Sequence, residues 1–408
     1  MDSVHAISSP NAWSVINGGN LRRSMHLTKN IYYASSYTSK ISQRIRKPHF
    51  EYKYSRLRQP TLNHRYKCIG ERSTYKKRNE KYVAKVASTP YSDSESRASY
   101  SKRIFDIVKK FLVAFFMFSS PYALTAQTLS IISASLLVVE KLSDISPLFF
   151  IGVLQVAVPH FFMCIFIAGI NQLCDLEIDK INKPYLPLAS REISFTTGVI
   201  IATSCLTLSF WLGWTIGSWP LIWGLLLCCF LWTAYSINVP LLRWKRHPLL
   251  AAMCIFATWA IIFPISSFLH LQTFVFKRPP IFPRSLVFVV TFMSLYSIGI
   301  ALCKDIPDVE GDATFGIYSF SARLGQKRVF QICVSLFKMA FGVAFLAGAT
   351  SPSLWIKIFT ALGHAILASV LWYQAKSIDT RSKSSVASFY MLIWKLLCAE
   401  YFLMPLVR

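Results

Sequence analysis

The stretch "NQLCDLEIDK", from Asn171 to Lys180, directly follows "VLQVAVPHFFMCIFIAGI", residues 153–170, which contain one histidine and no formal charge. An apolar run of that length is what a helix needs to span a bilayer. A carboxylate placed at mid-membrane costs about 2.5 to 3.5 kcal/mol, so acidic residues inside or beside spanning segments usually serve a function. Together the two stretches predict a membrane protein with an acidic site at the end of a span.

The composition of the whole chain supports a membrane protein. Of its 408 residues, 53% are hydrophobic and 15% are charged, and the mean hydropathy is +0.42. Apolar segments of about 17 to 25 residues recur through residues 104–408, which we interpret as one transmembrane domain. The fold class predicted is an all-α integral membrane bundle of about nine transmembrane helices. The predicted spans are 121–139, 147–170, 193–217, 220–236, 249–270, 285–303, 328–349, 352–374 and 387–406.

A separate segment precedes the first predicted span. It reads "FDIVKKFLVAFFMF", residues 105–118, and is too short and too charged to cross a bilayer. We expect it to lie at the membrane interface.

The N-terminal hundred residues differ from the rest in charge. Residues 1–103 contain 21 Lys and Arg against 6 Asp and Glu, a net charge of +15 out of the chain's +25. Residues 1–60 are rich in Ser, Arg and Lys and hold two acidic residues, a composition typical of a transit peptide and slightly closer to plastid than to mitochondrial ones. A disordered basic tail is the alternative. Residues 61–103 form a polar basic linker, and no fold typical of nucleic-acid binding is recognisable.

Counting spans places the charged loops relative to the membrane. The first acidic motif follows the second predicted span, "RWKRH" (243–247) follows the fourth, and "KDIPDVEGD" (304–312) follows the sixth. All three therefore lie on one face, and that face also holds most of the Lys and Arg of the loops. The positive-inside rule then predicts that this face is equivalent to the cytoplasmic side, which is the stroma if the organelle is a plastid.

The first acidic motif has helical spacing. Asn171, Asp175 and Asp179 are four residues apart and form one polar stripe, whereas Glu177 points elsewhere. The second motif has a similar pattern, since Asp305, Asp308 and Asp312 fall within a sector of about 60° and Glu310 lies off it. Pro307 and Gly311 make a regular helix less certain at the second motif.

Two carboxylate clusters on one membrane face repel each other unless a cation lies between them. Hard oxygen ligands in this number suit Mg²⁺, which is commonly held by a few carboxylates together with substrate phosphates. We therefore predict a magnesium cofactor and a phosphorylated ligand, a diphosphate with an isoprenoid tail in an apolar chamber. The predicted metal ligands are Asn171, Asp175, Asp179, Asp305, Asp308 and Asp312, and the four expected to be essential for catalysis are Asp175, Asp179, Asp308 and Asp312.

Basic residues also occur near the two acidic motifs, and they could neutralise the phosphate oxygens that a metal leaves free. The candidates are Lys183, Arg243, Lys245, Arg246, Lys304 and Arg323. The run "RWKRH" by itself also fits a simple positive-inside anchor.

These motifs resemble the UbiA superfamily of intramembrane prenyltransferases. "NQLCDLEIDKINKPYLPLAS" and "KDIPDVEGD" are similar to its paired aspartate motifs, and the likeness extends through "AYSINVPLLRWKRHP", "FGIYSFSARLGQKRV" and "FYMLIWKLLCAEYFLMPLVR". It covers residues 105–408 and is strongest to the plant branch of homogentisate and legume flavonoid prenyltransferases. The resemblance implies a nine-helix bundle, a transit peptide and a magnesium-dependent site. It also implies a diphosphate-side role for Tyr235, together with Arg243, Lys245 and Arg246.

Two departures from the family pattern bear on the substrate. Arg191 stands where relatives commonly have Gly after "LAS", and the first span begins "SSPYAL" without the basic residue that homogentisate enzymes often carry before Pro121. The second departure favours a specialised phenolic acceptor. The predicted reaction is transfer of a dimethylallyl group from dimethylallyl diphosphate to a ring carbon of a flavonoid or isoflavonoid.

Two alternatives stay open. One is a homogentisate phytyl, geranylgeranyl or solanesyl transferase of tocopherol or plastoquinone synthesis. The other, from a different class, is a carrier that binds anionic metabolites without chemistry, although nothing in the sequence resembles an inverted repeat. The partners predicted are a prenyl diphosphate, a phenolic acceptor and the lipid bilayer, with no nucleic acid; the sequence specifies no oligomeric state.

Overall fold

The structure, a computed structural model, describes residues 93–407 and the side chains of 100–407. The predicted transit peptide and most of the predicted linker lie outside these residues. The described part is helical and contains no strand. Its helices are α1 (Asp93–Phe118), α2 (Pro121–Leu136), α3 (Pro147–Cys174), α4 (Leu176–Asn182), α5 (Phe195–Ile216), α6 (Trp219–Ser236), α7 (Pro248–Val275), α8 (Arg284–Lys304), α9 (Val309–Thr314), α10 (Phe320–Leu324), α11 (Gln326–Ala349), α12 (Leu354–Lys376) and α13 (Lys383–Leu403), with short 3₁₀ turns at Leu142–Asp144, Trp244–Arg246 and Met404–Leu406.

The described residues include eight helices that are long and apolar enough to cross a membrane, namely α3, α5, α6, α7, α8, α11, α12 and α13. The predicted first span, 121–139, corresponds to α2, which passes as a span only when it is joined to Tyr100–Phe118 of α1, and these two helices are bent by 61° relative to each other. Counting that pair as one crossing gives nine spans in the described residues. These helices confirm the predicted all-α membrane bundle. The segment at 105–118 is the second half of α1, so the predicted interfacial stretch is helical and runs almost directly into α2.

The ends of these helices follow from local sequence. Pro121, Pro147 and Pro248 stand in the first turn of α2, α3 and α7, where the missing N–H would have no helical partner. The Ser194 hydroxyl caps α5 by accepting a hydrogen bond from the backbone of Thr197 at 3.1 Å. The predicted span 249–270 is too short, because a π-helical segment at His270–Val275 continues α7 beyond residue 270.

An aromatic cluster fixes α8 within the bundle. Tyr296 is fully buried and stacks on Phe292 at 5.3 Å between ring centroids, and it contacts Phe337 of α11 at 4.7 Å. Its hydroxyl donates to the Ile393 carbonyl of α13 at 2.8 Å. In a bilayer such packing and hydrogen bonding drive helix association, because lipid is as apolar as the side chains. The cluster therefore sets the position of the C-terminal end of α8, from which the second acidic motif extends.

Candidate active site

The first acidic motif lies at a break between two helices. Helix α3 ends at Cys174, and Asp175 leaves helical geometry with φ −106° and ψ 11° before α4 begins. The Asn171 amide donates to the Asp175 carboxylate at 3.1 Å, and Asp175 and Asp179 are both buried. Glu177 is exposed and pairs with a neighbouring lysine on the surface. The polar stripe is therefore present, although the helix carrying it is interrupted.

The second motif occupies a loop and a short helix. Helix α8 ends at Lys304, Asp305 follows it, and Asp308 precedes the six-residue α9. Asp308 and Asp312 are buried at 8% and 7% exposure, whereas Glu310 is exposed and pairs with a lysine of α13. Helix α8 thus ends three residues before Pro307, and Gly311 lies inside α9, so the motif does not form one regular helix.

Both motifs line one small cavity. Helices α4 and α9 contact each other, which brings the loops after α3 and α8 together. All six predicted metal ligands lie on the cavity wall, and so do four of the seven predicted diphosphate ligands. The wall is formed by Asn171, Asp175, Ile178, Asp179, Asn182, Lys183, Tyr235, Lys245, Lys304, Asp305, Asp308, Asp312 and Ile317. Asn182 is the polar member that the sequence analysis missed; its position three residues after Asp179 on a helix is the signal that could have found it.

Lysines are interleaved with the carboxylates. Lys183 pairs with Asp308 at 2.6 Å, and Lys304 pairs with Asp305 at 3.1 Å. Lys304 also donates to the Tyr235 hydroxyl at 2.6 Å. Because each lysine already contacts an acidic or phenolic group of the cavity, its ammonium is held near the place where a diphosphate would enter.

The predicted diphosphate ligands that do not line the cavity have other surroundings. Arg243 is buried and pairs with Asp175 at 2.9 Å, and it donates to the carbonyls of Cys174 and Ser236 at 3.2 and 2.6 Å. It thereby joins the ends of α3 and α6. Arg246 is exposed, and Arg323 is exposed with its Nε donating to a backbone carbonyl five residues earlier. The structure thus does not bring the last two to the cavity.

Two of the cavity carboxylates make no ion pair within residues 93–407. Burial raises the pKa of Asp179 to about 6, although Lys183 acts in the opposite direction. Burial, together with the nearby charges of Asp305 and Asp308, raises the pKa of Asp312 to about 7. Added positive charge, such as a bound cation, favours the ionised form of crowded, desolvated carboxylates of this kind.

Burial and the nearby carboxylates also shift the pKa values of two lysines of the cavity, Lys183 and Lys245. Burial lowers the pKa of Lys183, but Asp308 and Asp179 outweigh it, so the pKa lies well above the usual range. Burial also lowers the pKa of Lys245, and there the opposing effect of Asp175 is too weak to restore it. The ammonium of Lys183 is therefore firmly charged and suited to pair with a phosphate oxygen.

The side chains that line the cavity are of the chemical type that binds a hard divalent cation. Five carboxylates and two side-chain amides line the cavity, and all of them offer oxygen ligands of the type that Mg²⁺ binds. Among residues 93–407 no three His, Cys, Asp or Glu side chains converge closely enough to form a complete metal site by themselves. Mg²⁺ is often held by one or two carboxylates together with substrate phosphates.

Comparison with known proteins identifies the family. Residues 128–396 match the UbiA prenyltransferase family, and the chain belongs to it. The chain is 58% identical to glycinol 4-dimethylallyltransferase of Glycine max over the full length of both proteins. It is 50% identical to naringenin 8-dimethylallyltransferase 2, chloroplastic, of Sophora flavescens, again over the full length of both. Homogentisate phytyltransferase 1, chloroplastic, of Arabidopsis thaliana is 57% identical over 73% of this chain and 76% of its own length.

The family and the fold agree with each other. A bundle of spanning helices with acidic loops on one face is the architecture that the sequence predicts for a UbiA-type enzyme. The protein is therefore a multi-pass membrane prenyltransferase of the plant branch that includes the flavonoid and homogentisate enzymes.

Proposed function

We propose that the protein transfers a dimethylallyl group from dimethylallyl diphosphate to a ring carbon of a flavonoid or isoflavonoid and releases diphosphate. One observation carries the proposal: five carboxylates and three lysines line a single cavity at the ends of apolar helices. This combination suits a diphosphate head group attached to an apolar tail. The two full-length relatives named above are both dimethylallyltransferases, which supports the choice of donor.

The residues have separate roles in this proposal. Asn171, Asp175, Asp179, Asp305, Asp308 and Asp312 would hold Mg²⁺ together with the donor's phosphates. Bound there, Mg²⁺ would neutralise negative charge and make diphosphate a better leaving group. Lys183, Lys245 and Lys304 would contact the phosphate oxygens that remain, and Tyr235 would orient Lys304 through their hydrogen bond. Arg243 would hold Asp175 in place from behind the cavity.

The reaction balances without any further reagent. The allylic C–O bond breaks and its electron pair leaves with diphosphate, which produces an allylic cation. A π-electron pair of the phenolic ring forms the new C–C bond, and the ring then loses a proton to diphosphate, a carboxylate or water. A phenol already directs electrophiles to its ortho and para carbons. Donor ionisation is therefore the step that most needs the charged residues of the cavity.

A homogentisate prenyltransferase is the second candidate, and the 57% identity to the Arabidopsis homogentisate phytyltransferase favours it. Against it, Ser120 rather than a basic residue precedes Pro121, where a basic side chain would suit an acceptor that carries a carboxylate. The full-length matches to dimethylallyltransferases also favour the first candidate.

We further propose a plastid membrane as the site of action, with the acidic face towards the stroma. The basic, acid-poor N-terminal sixty residues and the chloroplastic relatives support the organelle. The excess of Lys and Arg in the loops on the acidic face supports the orientation. Fusing residues 1–60 to a fluorescent reporter tests the organelle, since import into plastids is expected and exclusive import into mitochondria would contradict it.

The function is tested with membranes containing the full chain. They are incubated with Mg²⁺, with dimethylallyl, geranylgeranyl or phytyl diphosphate, and with a panel of flavonoids and homogentisate. Product mass and NMR identify the donor, the acceptor and the alkylated carbon. We expect a dimethylallylated flavonoid or isoflavonoid. Efficient prenylation of homogentisate with no flavonoid product would instead establish the second candidate.

A further inference from the structure

A group of three electron-rich rings lies next to the charged cavity. Tyr122 stands in the first turn of α2, and Tyr390 and Trp394 stand four residues apart on α13, so both point from one face of that helix. The Tyr122 ring lies 5.3 Å from the Trp394 ring and 6.3 Å from the Tyr390 ring, measured between centroids. We call these three residues the aromatic wall.

The start of α2 lies beside the first acidic motif. The Gln172 amide, one residue after the cavity residue Asn171, donates to the Phe118 carbonyl at 2.8 Å, three residues before α2 begins at Pro121. The cavity residues Lys183, Lys304 and Asp308 are in turn among the charges that act on the Tyr122 hydroxyl. The aromatic wall therefore lies at the same end of the bundle as the cavity.

The wall is open at Tyr122 and supported behind it. Tyr122 is 39% exposed, whereas Trp394 is 5% exposed and packs against Trp259 of α7 at 5.1 Å between ring centroids. Trp259 in turn contacts Phe263 at 5.3 Å. Rings backed in this way keep their positions, and the accessible Tyr122 ring is the one that a bound group can contact.

We propose that Tyr122, backed by Trp394 and Tyr390, contacts the allylic cation and the phenolic ring and decides how much of the ionised donor reaches the acceptor instead of water. This proposal rests on the proposed function, and it identifies the surface where the two substrates meet. Aromatic faces attract cations through their quadrupole, most strongly where water is excluded. Flat rings also stack on a planar phenolic acceptor.

Two fates of the cation define the measurement. If the acceptor ring attacks, one C–C bond forms and the ring loses a proton. If water attacks, a C–O bond forms, the water loses a proton, and the product is dimethylallyl alcohol. Both fates release one diphosphate, so the ratio of prenylated acceptor to alcohol reports what happens after ionisation and is independent of the amount of active protein.

The test compares Tyr122→Leu with Tyr122→Phe in membranes that contain the full chain, using dimethylallyl diphosphate and the best acceptor of the wild type. Leu keeps an apolar side chain but removes the ring face, while Phe keeps the face and removes only the hydroxyl. The control is Tyr373→Leu, because Tyr373 is 73% exposed on α12 and does not line the cavity. A merely structural role would change the amount of active protein, and the ratio of the two products does not depend on that amount.

We expect the ratio of prenylated acceptor to alcohol to fall about tenfold in Tyr122→Leu, in line with the strength of a desolvated cation–π contact, and to stay near the wild-type value in Tyr122→Phe and Tyr373→Leu. A wild-type ratio in Tyr122→Leu would overturn the proposal, as would equal falls in the Leu and Phe variants. If the wild type itself releases no diphosphate from any prenyl donor, the proposed function fails instead, and the two failures are thereby distinguished.

Discussion

Asn182 and Gly311 hold the two acidic motifs together. The Gly311 backbone N–H donates to the Asn182 side-chain oxygen at 3.2 Å, and the Asn182 amide donates to the Asp308 carbonyl at 3.2 Å and to the Asp312 carboxylate at 3.3 Å. A Cβ at position 311 would overlap the Asn182 amide. Glycine is therefore needed at this position because the backbone approaches a side chain from 129 residues earlier in the chain.

Gly311→Ala should separate the two motifs and lower turnover. Outer contacts of a metal site are typically worth 10- to 100-fold in metal affinity or activity, and we expect a loss of about that size here, with a higher half-saturating Mg²⁺ concentration. Asn182→Ala should behave in the same way. Gly342→Ala is the matched control, because a Cβ at that helical position meets nothing. Equal activity in Gly311→Ala and Gly342→Ala would show that the bridge is dispensable.

The acidic residues divide into two groups with different expected effects. Asp175→Ala, Asp179→Ala, Asp308→Ala and Asp312→Ala should each nearly abolish turnover while the protein still inserts, because each removes a buried cavity carboxylate. Glu177→Gln and Glu310→Gln should retain most activity, since both glutamates are exposed and pair with surface lysines. Protein abundance in the membrane fraction is measured beside turnover. A glutamate variant as inactive as the aspartate variants would mean that the proposed ligand set is wrong.

Lys304→Gln should lower the catalytic efficiency with the prenyl diphosphate donor. The substitution removes an ammonium that lies between Asp305 and the Tyr235 hydroxyl. Because this ammonium could donate a charge-assisted hydrogen bond to the diphosphate, we expect kcat/KM for the prenyl diphosphate to fall by about 10- to 100-fold. Arg323→Gln is the control, because Arg323 is exposed and does not line the cavity. Steady-state kinetics with varied donor separate the two variants. A larger loss in Arg323→Gln would move the diphosphate site towards α10.

Magnesium dependence should change with pH. The pKa of Asp312 is raised to about 7 in the metal-free protein, so this carboxyl is mainly ionised at pH 8 and mainly protonated at pH 6. A metal needs the ionised form, so binding has to displace the proton as the pH falls. The ionised fraction drops about tenfold over these two pH units, and we expect the half-saturating Mg²⁺ concentration to rise by about the same factor. A pH-independent Mg²⁺ requirement would exclude Asp312 from the metal site.

The first motif could be predicted because its information is local. Asn171, Asp175 and Asp179 follow one another at helical spacing, and their place at the end of an apolar span sets the depth of the site. Eight of the nine predicted spans were likewise readable from the length of the apolar runs, whereas α2, the predicted first span, passes as a span only together with Tyr100–Phe118. The second motif could not be placed from spacing alone, because α8 ends at Lys304 and contacts with α4 position Asp308 and Asp312.

Contacts between distant parts of the chain could not be read in the same way. Arg243 looked like a phosphate ligand by charge, yet it binds Asp175 and two helix-terminal carbonyls, which depends on how α3 and α6 meet. Asn182 bridges two loops that are more than a hundred residues apart. Tyr122 meets Trp394 across most of the domain. Spacing within one helix says nothing about such pairs, because helix packing decides them.

In the proposed reaction, the charged cavity ionises a prenyl diphosphate before the acceptor reacts. The most direct measurement compares two substituted substrates with the wild-type enzyme: a donor fluorinated near its reacting carbon, which destabilises the allylic cation, and an acceptor with deuterium at the ring position that is alkylated. We predict that fluorine slows turnover far more than deuterium does. A large deuterium effect with little effect of fluorine would contradict the account, because loss of the ring proton would then limit the rate.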